Sequence, residues 1–444
     1  MENVTDYSKV TDAIKSGENV FITGSAGSGK TYLASNFAKT YGSRVALTAT
    51  TGIAALNLGG ETVHRFLGIG IATRQFQASK IVNKWLAISK SSRPWDKARW
   101  SLIQNIDTII IDEISMLRKD QFELIDTVLS RVRDCPMPFG GIQMVLVGDF
   151  FQLPPVVTTF DLNKYSDLNK PYCFQSDVWH YAKFKSFNLK LNYRQSENKF
   201  LSALEEIRFG GVSDNVNKLL DKRVNVKLAT KLQPVKLFPH KVAVSDENMK
   251  CLRQLPDDKI LSTAEFTGTK YNKDILRKEC QADEELYFCK DAQVMMLTND
   301  VESRWVNGTM GVVESIDPVS IKLSNGSTME VVEHTWERVE HKVKVKANGT
   351  KVETTVVATM KQFPFKLAYA TTIHKSQGLT LDYVDIDLSK CFTHGQSYVA
   401  LSRCKTLKGL KLRGWQKSSI SAHPAVLKFY KKSSTDLHQP PMVK

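Results

Sequence analysis

Apolar runs alternate with helical stretches over roughly the first third of the chain. The runs cover residues 19–23, 44–48, 108–112 and 143–148. Strands that are buried on both faces of a parallel sheet have this pattern. Apolar residues at helical spacing occupy 34–40 and 121–133. The alternation predicts a doubly wound α/β domain.

Residues 71–105 interrupt this alternation. The segment is basic and carries Trp85, Trp95 and Trp100. It does not resemble another strand–helix unit, so we predict an insertion in the first α/β domain. Its tryptophans could stack on nucleic-acid bases or pack in a core, and the sequence favours neither alternative.

A second α/β region begins near residue 191, with strands predicted at 235–238, 293–297 and 383–388. Within this region, residues 309–359 change to alternating polar and apolar positions. Asn325-Gly326 and Asn348-Gly349 each separate two such runs, which is the strongest short-range signal for a β-hairpin. We therefore predict a small β-barrel inserted in the second α/β domain. Residues 416–444 are predicted to form a basic tail.

Composition narrows the class of partner. A length of 444 residues suggests about three domains, and 42% hydrophobic residues exclude a disordered chain. Lys and Arg number 61 against 46 acidic residues, which gives a formal charge of +15. This surplus favours a polyanionic partner, with nucleic acid ahead of an acidic membrane surface.

The sequence carries no signal for secretion or membrane insertion. No apolar stretch approaches the about 18 residues of a membrane-spanning helix. The N-terminal MENVTDYSKV lacks the apolar core of a signal peptide. Seven scattered cysteines without a C-x-x-C pair indicate reduced thiols. We expect no membrane partner and a cytoplasmic protein of bacterial, phage or viral origin; a nuclear or organellar location stays open.

A phosphate-binding motif follows the first predicted strand. The segment GSAGSGKT fits G-x-x-x-x-G-K-[ST] and opens a predicted helix. In this motif, backbone N–H groups and the helix N-terminus converge on phosphate oxygens. We expect Lys30 to reach the β- and γ-phosphates and the Thr31 hydroxyl to bind Mg²⁺. The predicted nucleotide-binding residues are Gly24, Ser25, Ala26, Gly27, Ser28, Gly29, Lys30 and Thr31.

Two further strand ends carry candidate catalytic groups. Asp112 ends an apolar strand at the same sheet edge and is predicted to bind the same Mg²⁺. Glu113 would act as the general base toward the attacking water. Gln152 follows the next strand, where its amide could contact both the γ-phosphate and this water. These elements together predict nucleotide hydrolysis, and the lack of an N-K-x-D pattern disfavours a GTPase.

With these motifs in place, the chain resembles DNA helicases of the petite-integration-frequency (Pif) type. These belong to the 5′-to-3′ branch of superfamily 1, together with RecD and the phage helicase Dda. The resemblance covers about residues 19–410. Its motifs I, Ia and II to VI follow in family order as FITGSAGSGKT, TATTGIAALNLGGETVHRF, IIIDEISM, GDFFQLPPV, NYRQ, ATTIHKSQGLTLD and GQSYVALSRCKT.

The resemblance implies two RecA-like lobes with ATP and Mg²⁺ in the cleft between them. The first lobe would span 1–190 with a wedge at 71–105, and the second 191–308 and 360–415 with an SH3-like barrel at 309–359. Arg194 and Arg403 match family arginines that reach the γ-phosphate from the second lobe. With these two residues, the predicted catalytic set is Lys30, Asp112, Glu113, Gln152, Arg194 and Arg403.

The resemblance also implies a path for single-stranded DNA. Four positions of motif Ia and four positions of motif V match family residues along this path. They are Thr51, Thr62, His64 and Phe66, and then His374, Lys375, Ser376 and Gln377.

The implied activity is an ATP-dependent helicase that moves 5′-to-3′ on single-stranded DNA and unwinds duplexes with a 5′ tail. The expected protein is a monomer, with a single-strand-binding protein or a replisome component as a further partner. An alternative is a DNA-stimulated ATPase that remodels protein–DNA complexes without processive unwinding. A nucleotide-switch signalling protein is disfavoured by the two arginines.

One departure from the family concerns the nucleotide base. Family members carry a glutamine upstream of the phosphate-binding motif that reads the adenine edge, whereas the first glutamine of this chain is Gln75. Either other nucleoside triphosphates are accepted, or backbone groups near Tyr7 to Ala13 recognise adenine.

Overall fold

A seven-stranded parallel sheet forms the first lobe in the part of the chain that the structure describes. This computed structural model describes residues 1–5, 7–41, 44–70, 77–157, 170–230, 232–239, 244–300, 302, 304–346 and 349–433. The strands are β1 (Glu2–Val4), β2 (Val20–Gly24), β3 (Val45–Ala49), β4 (Glu61–Thr62), β5 (Thr108–Asp112), β6 (Gln143–Val147) and β7 (Lys185–Leu189). Their order is β1-β7-β2-β6-β5-β3-β4. The four strands predicted here are confirmed, with ends shifted by at most one residue.

Helices cover both faces of this sheet. They are α1 (Ser8–Lys15), α2 (Lys30–Tyr41), α3 (Gly52–Leu58), α4 (Val63–Phe66), α5 (Ala78–Ser89), α6 (Pro94–Asn105), α7 (Lys119–Val132) and α8 (Asp177–Tyr181). β2 and β5 are buried at every residue, as expected for strands that are covered on both sides.

The predicted insertion of the first lobe contains the helices α5 and α6. Residues 71–76 and the side chain of Trp95 lie outside the described part. Trp85 is buried, donates Nε1–H to the Leu67 carbonyl at 2.9 Å, and packs 4.8 Å from the Arg99 guanidinium. Trp100 packs partly buried against the same core. The tryptophans were expected either to stack on nucleic-acid bases or to pack in a core, and Trp85 packs in a core.

The second lobe opens with α9 (Asn198–Arg208), α10 (Asp214–Asp221), β8 (Val235–Phe238) and α11 (Val244–Arg253). The chain then leaves this lobe for a region of antiparallel sheets. Its elements are β9 (Ile260–Thr263), β10 (Glu265–Gly268), α12 (Lys270–Glu279), β11 (Glu285–Phe288), β12 (Gln293–Met296), β13 (Met310–Ile316), β14 (Val319–Leu323), β15 (Thr328–Glu330), β16 (His334–Lys346), β17 (Gly349–Gln362) and β18 (Phe365–Leu367).

These strands form sheets of five (β15-β14-β13-β12-β18), three (β10-β17-β16) and two (β11-β9) strands in the described residues. The antiparallel region is therefore wider than 309–359. The strand predicted at 293–297 exists as β12, but its placement in the parallel sheet is wrong, because it pairs antiparallel with β13 and β18. Apolar content alone does not distinguish the two sheets.

Both predicted Asn-Gly hairpins join antiparallel partners. Asn325-Gly326 links β14 to β15, and β16 pairs with β17 up to the Lys346–Gly349 position. Asn348 itself lies outside the described residues. The long β16–β17 hairpin reaches the first lobe, where His341 Nδ1 lies 2.9 Å from Glu61 Oε1.

The chain returns to the second lobe with β19 (Ala370–Thr372), β20 (Val384–Asp387), α13 (Gln396–Leu401) and β21 (Leu410–Gly414). Together with β8 they form a parallel sheet in the order β19-β8-β20-β21. The strands predicted at 235–238 and 383–388 are both present in it. None of the helices in the described ranges is long and apolar enough to cross a membrane.

The final helix, α14 (Pro424–Ser433), packs on the first lobe. Val426 and Tyr430 are buried in its core, and the Phe429 ring stacks on Phe174 at 4.4 Å. The prediction of a basic tail at 416–444 is therefore wrong over this helix, because its lysines face solvent while its apolar residues share one buried face. Residues 434–444 lie outside the described part.

Candidate nucleotide site and DNA path

The phosphate-binding loop joins β2 to α2, in the strand–loop–helix context that the motif requires. Gly27 and Gly29 have φ of 85° and 82°, a conformation that side-chain-bearing residues rarely adopt. A methyl group at Gly27 would lie 2.6 Å from Arg194 Cβ. The glycines therefore permit both the turn and the close approach of the second lobe.

Lys30 lies inside this loop. Its ammonium donates to the carbonyls of Gly24 and Ser25, each at 2.9 Å, and is 3.3 Å from Ser28 Oγ. Burial lowers the pKa of Lys30 to about 8, against the attraction of Asp149 and other carboxylates. The loop thus concentrates positive charge where phosphate oxygens are predicted to bind.

The two predicted magnesium ligands are adjacent. Thr31 Oγ1 donates to Asp112 Oδ2 at 2.8 Å, and the Glu113 backbone N–H donates to Asp112 Oδ1 at 2.8 Å. Burial raises the pKa of Asp112, while these hydrogen bonds favour its charged form. Neighbouring oxygens of octahedral Mg²⁺ lie about 2.9 Å apart, given bonds of about 2.0–2.1 Å. The Thr31 and Asp112 oxygens fit this spacing.

Glu113 accepts a hydrogen bond from Gln377, whose amide also lies near Gln152. Gln377 Nε2 donates to Glu113 Oε2 at 2.8 Å and lies 3.4 Å from Gln152 Oε1. Burial and then the charge of Asp112 raise the pKa of Glu113 to about 7. Gln377 was predicted on the DNA path, and the second lobe directs its amide toward Glu113. The sequence missed this contact, which spans the two lobes.

Both predicted arginines of the second lobe reach this cleft. Arg403 is 1% exposed; its Nε donates to the Val399 carbonyl at 3.0 Å and its Nη2 to Ser402 Oγ at 2.8 Å. Arg194 Nε donates to Thr380 Oγ1 at 3.0 Å. Burial lowers the pKa of both groups, that of Arg194 to about 10.

Neither arginine forms an ion pair with a carboxylate among the described residues. A buried charge without an opposite partner is costly, so the arrangement suits an anionic ligand.

Backbone contacts tie the second lobe to the loop. The Ala26 N–H donates to the Tyr398 hydroxyl at 2.9 Å, and Asn192 Nδ2 donates to the Ala26 carbonyl at 2.9 Å. The Tyr193 N–H donates to the Gly27 carbonyl at 2.9 Å. Sequence reasoning missed Tyr398, although it lies in the GQSYVALSRCKT segment that drew attention to Arg403.

A buried ion pair also links the lobes. Arg208 Nε and Nη2 donate to Asp149 Oδ2 and Oδ1 at 3.0 and 2.9 Å, and the two side chains are 2% and 0% exposed. Arg208 ends α9, whose apolar residues belong to the second-lobe core, whereas Asp149 follows β6. Neither residue was predicted, since a distant charge pair leaves no local signal.

Of the predicted DNA residues of the first lobe, two cap helices and two are buried. Thr51 and Thr62 cap α3 and α4, accepting the N–H groups of Ala54 and Arg65 at 3.3 and 3.4 Å. His64 is buried, and its Nε2 has no hydrogen-bond partner among the described residues. Phe66, also predicted on the DNA path, is 3% exposed and packs in the lobe core.

The predicted DNA residues in the turn after β19 differ in their exposure to solvent. Ser376, also predicted on the DNA path, is fully buried and donates to the Ile373 carbonyl at 2.8 Å. Lys375 is exposed and His374 is half-buried. This turn therefore presents Lys375 outward and Gln377 to Glu113.

A phosphate loop and acidic pair in one RecA-like lobe, completed by arginines of a second, define a two-lobed P-loop NTPase of the helicase class. The PIF1-like helicase family profile matches residues 2–226. ATP-dependent DNA helicase Pif1 of Bdellovibrio bacteriovorus is 35% identical over 96% of this chain and 91% of its own length. The chain belongs to the PIF1-like helicase family.

Two further proteins support this family membership. ATP-dependent DNA helicase PIF1 of Xenopus laevis is 35% identical over 96% of this chain, which spans 64% of that longer protein. The structure of Bacteroides sp Pif1 in complex with ADP-AlF4 matches with a TM-score of 0.83 and 31% identity, over 96% of this chain and 95% of that one.

Proposed function

We propose that this chain is an ATP-dependent DNA helicase that hydrolyses Mg-ATP between its lobes and moves 5′-to-3′ on single-stranded DNA. The observation that carries the proposal is a pair of second-lobe arginines, half-buried Arg194 beside Gly27 of the phosphate loop and buried Arg403, whose charges both interact with that of Glu113. Their position makes the separation of the lobes depend on the phosphate charge between them.

In the proposed reaction, loop N–H groups and Lys30 hold the phosphates, and Thr31 and Asp112 hold Mg²⁺. The metal neutralises charge on the β- and γ-phosphates when bound. Glu113, oriented by Gln377, accepts the proton of the attacking water. Gln152 lies beside this pair to position the water. Arg194 and Arg403 offset the charge of the transferring phosphoryl group.

The turn after β19 supplies the proposed coupling between DNA and hydrolysis. Its Lys375 is exposed for a backbone phosphate, while its Gln377 contacts the proposed base Glu113. A shift of this turn on DNA binding would therefore alter the orientation of Glu113. We propose His374, Lys375, Thr51 and Thr62 as DNA-facing residues.

The remaining parts take supporting roles in this proposal. The helices α5 and α6 serve as the wedge at the duplex end, and the five-stranded sheet as the SH3-like insertion. The working unit is a monomer in the cytoplasm on single-stranded or 5′-tailed DNA, with a single-strand-binding protein or replisome component as a further partner.

Polarity tests the proposed function. Two duplexes of identical sequence, one with a 5′ and one with a 3′ single-stranded tail, are mixed with the protein, ATP and Mg²⁺. We expect strand displacement of the 5′-tailed duplex only, because the motor loads on the tail and runs toward the duplex. Equal displacement of both would contradict the direction, and hydrolysis without displacement would favour the remodelling ATPase.

Lys375→Ala is expected to weaken binding to single-stranded DNA and to flatten its salt dependence. Losing one phosphate contact lowers the slope of log K against log salt by about 0.7. Fluorescence titrations at several salt concentrations measure this slope. Lys428→Ala, an exposed lysine on α14, is the matched control and should leave the slope unchanged. An unchanged slope in Lys375→Ala would remove this residue from the DNA path.

A further inference from the structure

Asp149 lies at the carboxyl edge of the first-lobe sheet, beside the phosphate loop. Its strand β6 pairs in parallel with β2, and the Gly148 N–H donates to the Ile22 carbonyl at 3.0 Å. In this register Asp149 is level with Gly24, whose carbonyl accepts a hydrogen bond from the Lys30 ammonium at 2.9 Å. A fully buried carboxylate therefore lies next to the cation that is proposed to hold the phosphates.

The charge of Asp149 acts on Lys30 without forming an ion pair with it. Burial lowers the pKa of Lys30, and the charge of Asp149 opposes this effect more strongly than that of any other described carboxylate. The charge of Arg208 acts in the same direction as burial. The Lys30 ammonium donates to oxygens of the loop and forms no ion pair in the described part of the chain. Lys30 thus keeps its charge available for phosphate while a carboxylate attracts it.

Arg208 of the second lobe occupies both oxygens of the Asp149 carboxylate. Its guanidinium lies 5.0, 5.5 and 5.8 Å from the ring centroids of Phe151, Phe209 and Tyr430, which orient it by cation–π contacts. All three rings pack in or against the first-lobe core, whereas the apolar residues of α9 belong to the second. The ion pair therefore exists only while the two lobes are together.

We propose that Asp149 is an exchangeable counter-ion: it pairs with Arg208 while the lobes enclose ATP, and it pairs with Lys30 when the lobes separate, so that ADP is released. An ammonium beside a carboxylate attracts phosphate less than an unpaired one. The flexible four-carbon stem of lysine permits the exchange. Asp149 and Arg208 are positioning residues, because they act on the nucleotide through Lys30.

This inference rests on the proposed hydrolysis of Mg-ATP and deepens it by naming how the same site releases its product. It differs from a purely structural role for the ion pair. A pair that only joined the lobes would change nucleotide release in the same direction whichever partner is replaced. An exchangeable counter-ion requires opposite directions for the two partners.

Dissociation of a fluorescent ADP, followed by stopped-flow displacement without DNA, tests these directions. Asp149→Asn removes the carboxylate that pairs with Lys30, so ADP should leave about 10- to 100-fold more slowly than from the unchanged protein. Arg208→Gln makes this carboxylate available, so ADP should leave faster by a similar factor. Changes of the same sign in the two variants would overturn the inference.

The double variant Asp149→Asn/Arg208→Gln separates the exchange from a loss of stability. Each single change leaves one buried charge unpaired, which destabilises the fold, whereas the double change removes both charges. The double variant lacks the carboxylate that would pair with Lys30, so it should release ADP as slowly as Asp149→Asn. This expectation stands even where a single variant fails to fold. Release at the rate of the unchanged protein would show that the carboxylate takes no part.

Asp300→Asn is the matched control. Asp300 accepts from Arg304 Nε and Nη2 at 2.8 and 2.7 Å, the same two-point contact, but it lies in the antiparallel region. This variant should release ADP at the rate of the unchanged protein, and a change like that in Asp149→Asn would contradict the inference. ATP hydrolysis by the unchanged protein with single-stranded DNA is measured in parallel. Its absence would overturn the proposed function as well, whereas hydrolysis with equal ADP release from the Asp149→Asn and unchanged proteins would overturn this inference alone.

Discussion

Arg403→Ala is expected to lower ATP turnover about 10³- to 10⁵-fold while ATP still binds within about tenfold of the unchanged protein. Arg403 is 1% exposed, and its Nε and Nη2 donate to a carbonyl and a hydroxyl oxygen, so a bound phosphate would supply the opposite charge that these contacts lack. Interactions that strengthen as charge develops on the transferring phosphoryl group accelerate the reaction more than they aid binding. Single-turnover hydrolysis and binding of a fluorescent ATP analogue measure the two quantities.

Removal of a buried arginine also costs stability, so this prediction needs a matched variant. Arg223 donates to the carbonyls of Leu410 and Lys408 at 2.7 and 3.0 Å in the second lobe. Arg223→Ala should therefore lower the thermal midpoint without a comparable loss of turnover. Turnover in Arg403→Ala within about tenfold of the unchanged protein would exclude a role at the phosphate.

Deletion of residues 424–444 is expected to prevent stable folding. α14 buries Val426 and Tyr430 and stacks Phe429 on Phe174, and the Tyr430 hydroxyl lies 2.7 Å from Thr23 Oγ1. Burial of three such side chains contributes roughly 5–9 kcal/mol. This is comparable with the whole free energy of unfolding of a typical domain, about 5–15 kcal/mol. Urea unfolding followed by circular dichroism measures the loss.

Two milder variants locate the effect in α14. Deletion of residues 434–444 alone should leave the free energy of unfolding unchanged. Tyr430→Phe retains the ring and removes the hydrogen bond with Thr23, so it should cost about 0.5–1.5 kcal/mol. A stable protein after deletion of 424–444 would mean that α14 contributes little to the first-lobe core. Activity of that shortened protein would then restore the interpretation of this segment as a basic tail.

Sequence patterns succeeded where the physical requirement is local. The phosphate loop is set by glycines with positive φ between a strand and a helix. As predicted, the loop follows a strand, β2, and leads into a helix, α2. The buried strands β2, β5 and β6 are apolar because both faces are covered, so their bounds could be predicted almost to the residue. The order of the motifs also identified both arginines that reach the cleft.

The features that the sequence did not reveal depend on partners far along the chain. Gln377 and Phe66 lie in segments whose family role is DNA binding, yet the fold turns one toward Glu113 and buries the other in a core. The apolar face of α14 is short and surrounded by lysines. The charge pattern of the sequence therefore did not indicate that this helix packs on the first lobe. β12 has the apolar composition of a parallel strand, but its neighbours are antiparallel.

The sequence by itself determined the candidate nucleotide site, because the loop conformation and each strand end that carries a polar group are encoded within a few consecutive residues. Only the tertiary structure decided how that site is completed. Tyr398 on Ala26, Gln377 on Glu113 and Arg208 on Asp149 each join residues of different lobes. Their positions follow from how two separately built cores pack together, and no local pattern specifies that packing.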